Sequence, residues 1–107
     1  MELQPFNLSN KSGARAIDSS GQRLTIPGGI GDQIRILNLG PNIVCVMAGS
    51  GSQTAVMPTD NATPNGSGVV IAVGSTEVFS IGASVDIHAI CAAAATATIY
   101  VSRGSGA

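Results

Sequence analysis

The segment VDIHAIC, residues 85–91, concentrates side chains that could do chemistry. It contains Asp86, His88 and Cys91, and His88 is the only histidine of the 107-residue chain. Carboxylate, imidazole and thiolate groups are ligands of zinc, and they also occur in hydrolytic active sites. These three residues can act together only if the secondary structure of the segment places their side chains on the same face.

Alternation of apolar and polar residues predicts that this segment is a β-strand. Successive side chains of a strand point to opposite faces, so Cys91 lies with the apolar residues, opposite Asp86 and His88. Asp86 and His88 share a face, with Cα atoms about 6.6 Å apart. Zinc takes three or four ligands, and the chain has no second histidine. We therefore expect no metal site and no cofactor, and we interpret Asp86 and His88 as a polar strand face or a subunit contact.

No pattern of a nucleophilic or nucleotide-binding site accompanies the histidine. A Ser-His-Asp site places its serine on a strained turn such as G-x-S-x-G, and neither Gly49-Ser50-Gly51 nor Gly66-Ser67-Gly68 has that spacing. The Gly-rich string at 26–33 lacks the glycine spacing of a nucleotide-binding loop. The six acidic residues are scattered, without a motif that pairs them. The sequence therefore predicts no catalytic residues and a protein that is not an enzyme.

The composition favours assembly with other protein subunits. Charged residues make up only 10% of the chain and its formal net charge is −1, whereas an average domain has about 25% charged residues. The five basic residues are dispersed, so no basic patch favours nucleic acid. No apolar run approaches the ~20 residues of a membrane-spanning helix. We expect a homo-oligomer that binds neither nucleic acid nor membrane.

The first residues, MELQPFNLSNKSG, do not have the basic start and apolar run of a signal peptide. We therefore expect synthesis in the cytoplasm, where Cys45 and Cys91 stay reduced.

Gly and Pro interrupt the chain at short intervals, a pattern typical of an antiparallel β-sandwich of jelly-roll or Ig-like type. Six segments are predicted strands, namely 32–39, 42–48, 69–73, 76–81, 84–91 and 96–102, with 23–26 a seventh and 14–18 and 53–57 further candidates. We expect Gly40-Pro41 to join the first two as a hairpin, because Pro fixes φ and Gly tolerates positive φ. The predicted core consists of Ile34, Ile36, Ile43, Cys45, Val78, Val85, Ile87, Ala89, Ile99 and Val101.

We divide the chain into an extended N-terminal arm at 1–22, a sandwich domain at 23–103 and a flexible tail at 104–107. The arm is rich in Ser, Asn and Gly and can bury little surface in its own domain, so we expect it to act between subunits. Its candidate partner-binding residues are the apolar anchors Leu3, Phe6 and Leu8 and the cations Lys11 and Arg15. On this interpretation, deletion of residues 2–20 leaves a folded domain.

Three stretches between residues 32 and 106 carry a family resemblance. They are the strand Arg35-Ile36-Leu37-Asn38-Leu39-Gly40, the Glu-Val-Phe strand at 77–79, and a final Thr-x-Tyr-Val strand that runs from Thr98 into a Gly-rich end at Gly106. In this pattern of strands and turns the chain resembles small virion proteins of tailed bacteriophages. Residues 1–31 lie outside the resemblance.

The resemblance implies a capsid decoration, or cement, protein. Such proteins are small β-sandwiches that bind the outside of the shell, often as dimers or trimers, and reinforce it. It thus implies the major capsid protein as partner and the capsid surface of the virion as location, with no catalytic residues. Two alternatives remain open: a head fibre, tail or adhesion component that contacts a host glycan or receptor, and a secreted bacterial β-sandwich.

Overall fold

The chain folds into two four-stranded antiparallel sheets that pack face to face. The computed structural model describes the backbone of residues 7–105 and the side chains of residues 11–105. Its eight strands are β1 (Asn7–Ile17), β2 (Gln22–Thr25), β3 (Gln33–Pro41), β4 (Val44–Gly49), β5 (Val69–Ile71), β6 (Thr76–Ser80), β7 (Asp86–Ile90) and β8 (Ala97–Ser105). Within these limits the chain has no helix, and so none that could cross a membrane. The predicted all-β sandwich is confirmed.

The strand order identifies the type of sandwich. The first sheet has the order β1-β8-β3-β6, and the second has the order β2-β7-β4-β5. Strands β1 and β8, β2 and β7, β3 and β6, and β4 and β5 form antiparallel pairs. The chain is therefore one long hairpin of four strand pairs, rolled so that successive pairs alternate between the sheets. This is the jelly-roll arrangement, and not the Ig-like one, in which the first two strands share a sheet.

The hairpin predicted around Gly40-Pro41 is wrong. Strands β3 and β4 lie in different sheets, so the residues between them carry the chain across the sandwich instead of reversing it within one sheet. Turn residues specify that the chain changes direction here, but both flanking segments are apolar and can pair with several partners. Pairing of β3 with β6 and β8, and of β4 with β5 and β7, decides the outcome.

Most of the predicted core is confirmed. Seven of the ten predicted residues are buried, namely Ile34, Ile36, Cys45, Ile87, Ala89, Ile99 and Val101. All but Cys45 lie between the sheets, where Ile17, Val44, Val46 and Ile71 join them. The alternation of VDIHAIC therefore has the predicted sense, with Ile87, Ala89 and Cys91 turned inward.

Three predicted core residues, Ile43, Val78 and Val85, are 41% to 53% exposed. Ile43 precedes β4, whose inward residues are Val44 and Val46. On β6 the inward residue is Phe79, so Val78 was assigned to the wrong face. Val85 precedes β7 and has the inward parity, but it lies beyond the end of the strand.

The predicted domain boundaries also require correction. Residues 7–17 form β1, which pairs with β8 from Asn7↔Ser105 to Ile17↔Ala97. Ile17 is 1% exposed and belongs to the core, and β8 extends to Ser105, into the predicted tail. The arm sequence alternates weakly, but an edge strand needs apolar residues on only one face, and pairing with β8 satisfies the backbone groups on its inner side.

A fully buried asparagine, Asn38, joins the two places where the chain crosses between β3 and β4 and between β5 and β6. Its Nδ2 donates to the carbonyl oxygens of Asn42 at 2.9 Å and Ile71 at 3.0 Å, and its Oδ1 accepts from the amide of Gly40 at 2.9 Å. Its backbone amide donates to Ser75 O at 3.0 Å. One side chain thus satisfies polar groups of both crossings that would otherwise be buried without partners.

Replacement of Asn38 by Asp should destabilise the fold more than replacement by Ala. Asn38→Ala leaves buried groups unpaired, at a cost of about 1–3 kcal/mol, whereas Asn38→Asp also turns a buried carboxylate towards two carbonyl oxygens. Urea unfolding measures both losses. The exposed Asn61→Asp is the matched control, because it keeps the oxygen that accepts from the Thr63 amide, and it should lose less than about 1 kcal/mol. Equal losses for the two Asp variants would contradict this role of Asn38.

Deletion of residues 2–20 should unfold the domain or lower its melting temperature strongly. The deletion removes an entire edge strand together with the core residue Ile17. Deletion of residues 2–6, which removes no described strand, is the control. Thermal unfolding followed by circular dichroism compares both with the full chain. A 2–20 deletion that melts with the full chain would restore the predicted boundary near residue 22.

Candidate functional site

Asp86 and His88 lie on the outer face of the second sheet, beneath a long loop. We call residues 50–68, which connect β4 to β5, the covering loop. On the neighbouring strands, Arg23 is opposite His88 on one side and Met47 is opposite it on the other. The strand alternation therefore presents these side chains to the loop, while Ile87 and Ala89 face the core.

Gln53 anchors the covering loop to this face. Its Nε2 lies 2.7 Å from Asp86 Oδ1, 3.2 Å from Asp86 O and 3.3 Å from Met47 O, and its Oε1 accepts from the Gly51 amide at 2.9 Å. Arg23 Nη2 donates to Gln53 O at 2.6 Å, and Arg23 Nη1 lies 3.6 Å from Asp86 Oδ1. The carboxylate thus holds a loop and a cation together, a structural use of its charge.

His88 forms a second anchor of the covering loop. The buried amide of Ala55 donates to His88 Nδ1 at 2.9 Å, so the imidazole accepts as the neutral ring. Burial lowers the pKa of His88, the Arg23 charge lowers it further, and Asp86 acts in the opposite direction. Gly21 closes the far side of the ring, since a Cβ at this position would lie 2.7 Å from Nε2. The histidine is 7% exposed.

The two cysteines are free and are buried on opposite faces of the second sheet. Cys91 belongs to the core, and burial and the Asp18 charge raise its pKa. Cys45 lies under the covering loop, 3.4 Å from Ser67 O and 3.6 Å from Val56 O, and burial raises its pKa. Both thiols therefore stay protonated, which is unsuitable for nucleophilic attack.

The opening motif VDIHAIC is thus divided between two environments. Asp86 and His88 bind the covering loop, and Cys91 packs in the core. Residues 11–105 contain no group of three or more His, Cys, Asp or Glu side chains that could hold a metal ion. Asp86 and His88 therefore act as hydrogen-bond acceptors for the covering loop, and the imidazole of His88 is already bound to the backbone amide of Ala55.

A cavity of about 170 Å³ lies between the sheets beside the edge strands β5 and β6. Its lining includes Ile34, Ile36 and Phe79 of the first sheet and Val46, Val69 and Ile87 of the second. No charged side chain lines it. Apolar walls of this kind accommodate hydrocarbon groups and do not supply acid or base catalysis.

The outer face of the first sheet, here called the open face, contrasts with the face beneath the loop. Its central row is Ala14, Tyr100, Leu37 and Thr76 on four adjacent strands. Tyr100 is 44% exposed and Val78 is 41% exposed, whereas Cys45 under the covering loop is 0% exposed. Further side chains with the same outward parity are Ser12, Ala16, Gln33, Arg35, Ser80, Thr98 and Ser102. Among all these side chains of the open face, one is charged, Arg35.

Each edge strand of the first sheet carries a charged residue at a core-facing position. Arg15 pairs with Ile99 on β8, and Glu77 pairs with Ile36 on β3, so both have core-facing parity on an edge strand. Both are nevertheless exposed, because each lies at the rim of the sandwich. Inward-pointing charges on edge strands discourage pairing with a further strand. Contact through the edges is therefore less favourable than contact through the open face.

The structure reaches only part of the predicted partner-binding set. Leu3 and Phe6 lie outside the described residues, and Leu8 is described only as backbone, paired with Gly104 on β8. Lys11 and Arg15 are exposed on β1. Sequence alone did not single out Tyr100 and Leu37, the cross-strand pair in the central row of the open face.

Comparison with protein-family models, with curated proteins and with solved structures finds no match for this chain.

Replacement of Gln53 by Glu should loosen the covering loop. The substitution keeps the shape of the side chain but replaces the donor at Asp86 by a second carboxylate, so the loop loses its anchor and two like charges meet. We expect a loss of about 1–3 kcal/mol in the free energy of unfolding by urea. The exposed neighbour Ser52 provides the control, Ser52→Glu, which should change stability by about 0.5 kcal/mol or less. Similar losses for both variants would show that Gln53 does not anchor the loop.

Proposed function

We propose that this protein is a non-enzymatic structural protein of a phage virion that binds the outer surface of the capsid and stabilises it. One observation carries the proposal: a weakly charged and partly apolar open face on a sandwich whose opposite face is covered. Protein–protein interfaces are depleted of charged residues at their centre and enriched in aromatic residues. Tyr100, between Ala14 and Leu37, gives the open face this character.

The chemistry of the remaining molecule supports a binding role over a catalytic one. The single histidine is engaged by Ala55, both thiols are buried, and Asp86 holds the covering loop. The open face thus offers a contact surface, whereas the chemically reactive side chains serve the fold.

The fold and the sequence resemblance point in the same direction. Jelly rolls occur in viral capsid and lectin domains, among others, and a fold alone does not specify a function. The resemblance of residues 32–106 to small phage virion proteins selects the capsid from these possibilities. Face-to-face packing of sheets, at a spacing of ~10 Å, is the geometry that the open face would use with a sister subunit or with the major capsid protein.

A host glycan or receptor is the second candidate partner, as for a head fibre, tail or adhesion component. The exposed ring of Tyr100 favours it, because an aromatic ring supplies a large contact area that also carries a polar hydroxyl. In this case the same open face would bind the glycan or receptor.

Electron microscopy of particles that contain the chain tests the proposal. Particles are labelled with a gold-conjugated antibody against the exposed part of the covering loop, residues 58–66. Gold on the head shell is the expected result. Gold on the tail or on fibres would favour the second candidate, and particles without gold would contradict both.

A matched pair of variants identifies the contact surface. Tyr100→Glu places a charge at the centre of the open face and should abolish binding of purified protein to particles from which the native chain has been removed. Ala62→Glu adds the same charge on the exposed covering loop and should bind as the unaltered chain does. Cosedimentation measures both, and circular dichroism checks that both are folded. Equal binding of the two variants would exclude the open face.

A further inference from the structure

We propose that His88 is an acid-operated latch: protonation of its imidazole releases residues 50–57 of the covering loop from the second sheet and uncovers Cys45, while the sandwich itself stays folded. This device is independent of the proposed capsid role.

The hydrogen bond from Ala55 to His88 supplies the geometry of the latch. The Ala55 amide, 2.9 Å from Nδ1, needs an acceptor there, and the residue is 0% exposed. A protonated imidazole has N–H groups at both nitrogens, so protonation would bring two donors together. The loop can avoid this conflict by moving away, since β7 is held on both sides by β2 and β4.

Burial and the Arg23 charge oppose protonation of the imidazole in the closed state, whereas the Asp86 charge favours it. Arg23 faces it from β2, Asp86 flanks it on its own strand, and Met47, a neutral residue, faces it from β4. Burial is the largest cause that lowers the pKa of His88, followed by Arg23. Because the closed, folded state binds the proton less well than the open one, closure is most stable above the ordinary value of 6.5 and weakens as the pH falls below it.

The remaining anchors determine which segment moves. Asp86 holds Gln53, and His88 holds Ala55, two positions further along the loop. Loss of the hydrogen bond at Ala55 therefore puts strain on the hydrogen bonds of Gln53. Further along, Val56 and Ser67 form a bridge in which each amide donates to the other residue at 2.9 Å. Cys45 Sγ lies beneath this bridge, close to both carbonyl oxygens, and therefore reports on opening.

Thiol labelling of the full-length chain between pH 7.5 and 4.5 tests the latch. The reagent is 4,4′-dithiodipyridine, which reacts with thiols in acid, and peptide mass spectrometry separates Cys45 from Cys91. Each rate is divided by that of the urea-unfolded chain at the same pH, which removes the pH dependence of the reagent and of the thiol. Cys91, in the core on the other face of the sheet, is the internal control for global unfolding.

The expected result is that protection of Cys45 falls by roughly fivefold or more in acid, the change that loss of one hydrogen bond produces, while protection of Cys91 is retained. His88→Asn keeps an oxygen acceptor near the position of Nδ1 but does not titrate, so it should stay closed across the range. Asp86→Asn keeps an amide oxygen as acceptor for Gln53 and removes the carboxyl as an alternative trigger. It should still open, and at lower pH, because the charge that favours the imidazolium is absent.

Three outcomes would overturn the latch. They are constant protection of Cys45 in the unaltered chain, parallel loss of protection at Cys45 and Cys91, and opening that persists in His88→Asn but disappears in Asp86→Asn. If His88→Asn does not fold, the Asp86→Asn result decides, because opening without a carboxyl at position 86 leaves the imidazole as the titrating group in contact with the loop.

Discussion

The jelly roll depends most on the hydrogen bonds of one buried side-chain amide, that of Asn38. A rolled hairpin must cross from one sheet to the other, and each crossing leaves backbone groups that no sheet partner can satisfy. Asn38 accepts from Gly40 and donates to Asn42 and Ile71, so it serves two crossings that are separated by about thirty residues of chain. An apolar side chain of the same size would fill the space and leave these polar groups unpaired.

The two outer faces of the sandwich have opposite characters, since one is covered by a loop and the other is open. On the second sheet, Asp86 and His88 hold the covering loop through Gln53 and Ala55, which removes the reactive side chains from solvent. On the first sheet, small side chains surround Tyr100 with little charge. Such a face loses little hydration when a partner covers it, because few charged groups must give up their water.

Much of the fold could be predicted because the physical signal is local. Period-two alternation in VDIHAIC and TATIYVS identifies strands and assigns Ile87, Ala89, Ile99 and Val101 to the core, since a strand buried on one face separates apolar from polar residues. The candidate site could be predicted only in part. Alternation places Asp86 and His88 on one face. Their hydrogen-bond partners, Gln53 and Ala55, each lie 33 residues earlier in the chain, where no local pattern connects them to the strand.

The sequence by itself determined the class of the fold, the separation of Cys91 from Asp86 and His88, and the low charge that suits a covered surface, because these follow from composition and from the geometry of a single strand. Only the tertiary structure decided that residues 7–17 belong to the sandwich, that β3 and β4 lie in different sheets, and that Val78 points outward. The physical reason is that segments apolar on both faces, and a strand at the edge of a sheet, take their register and their partners from the pairing energy of distant strands, which no local pattern contains.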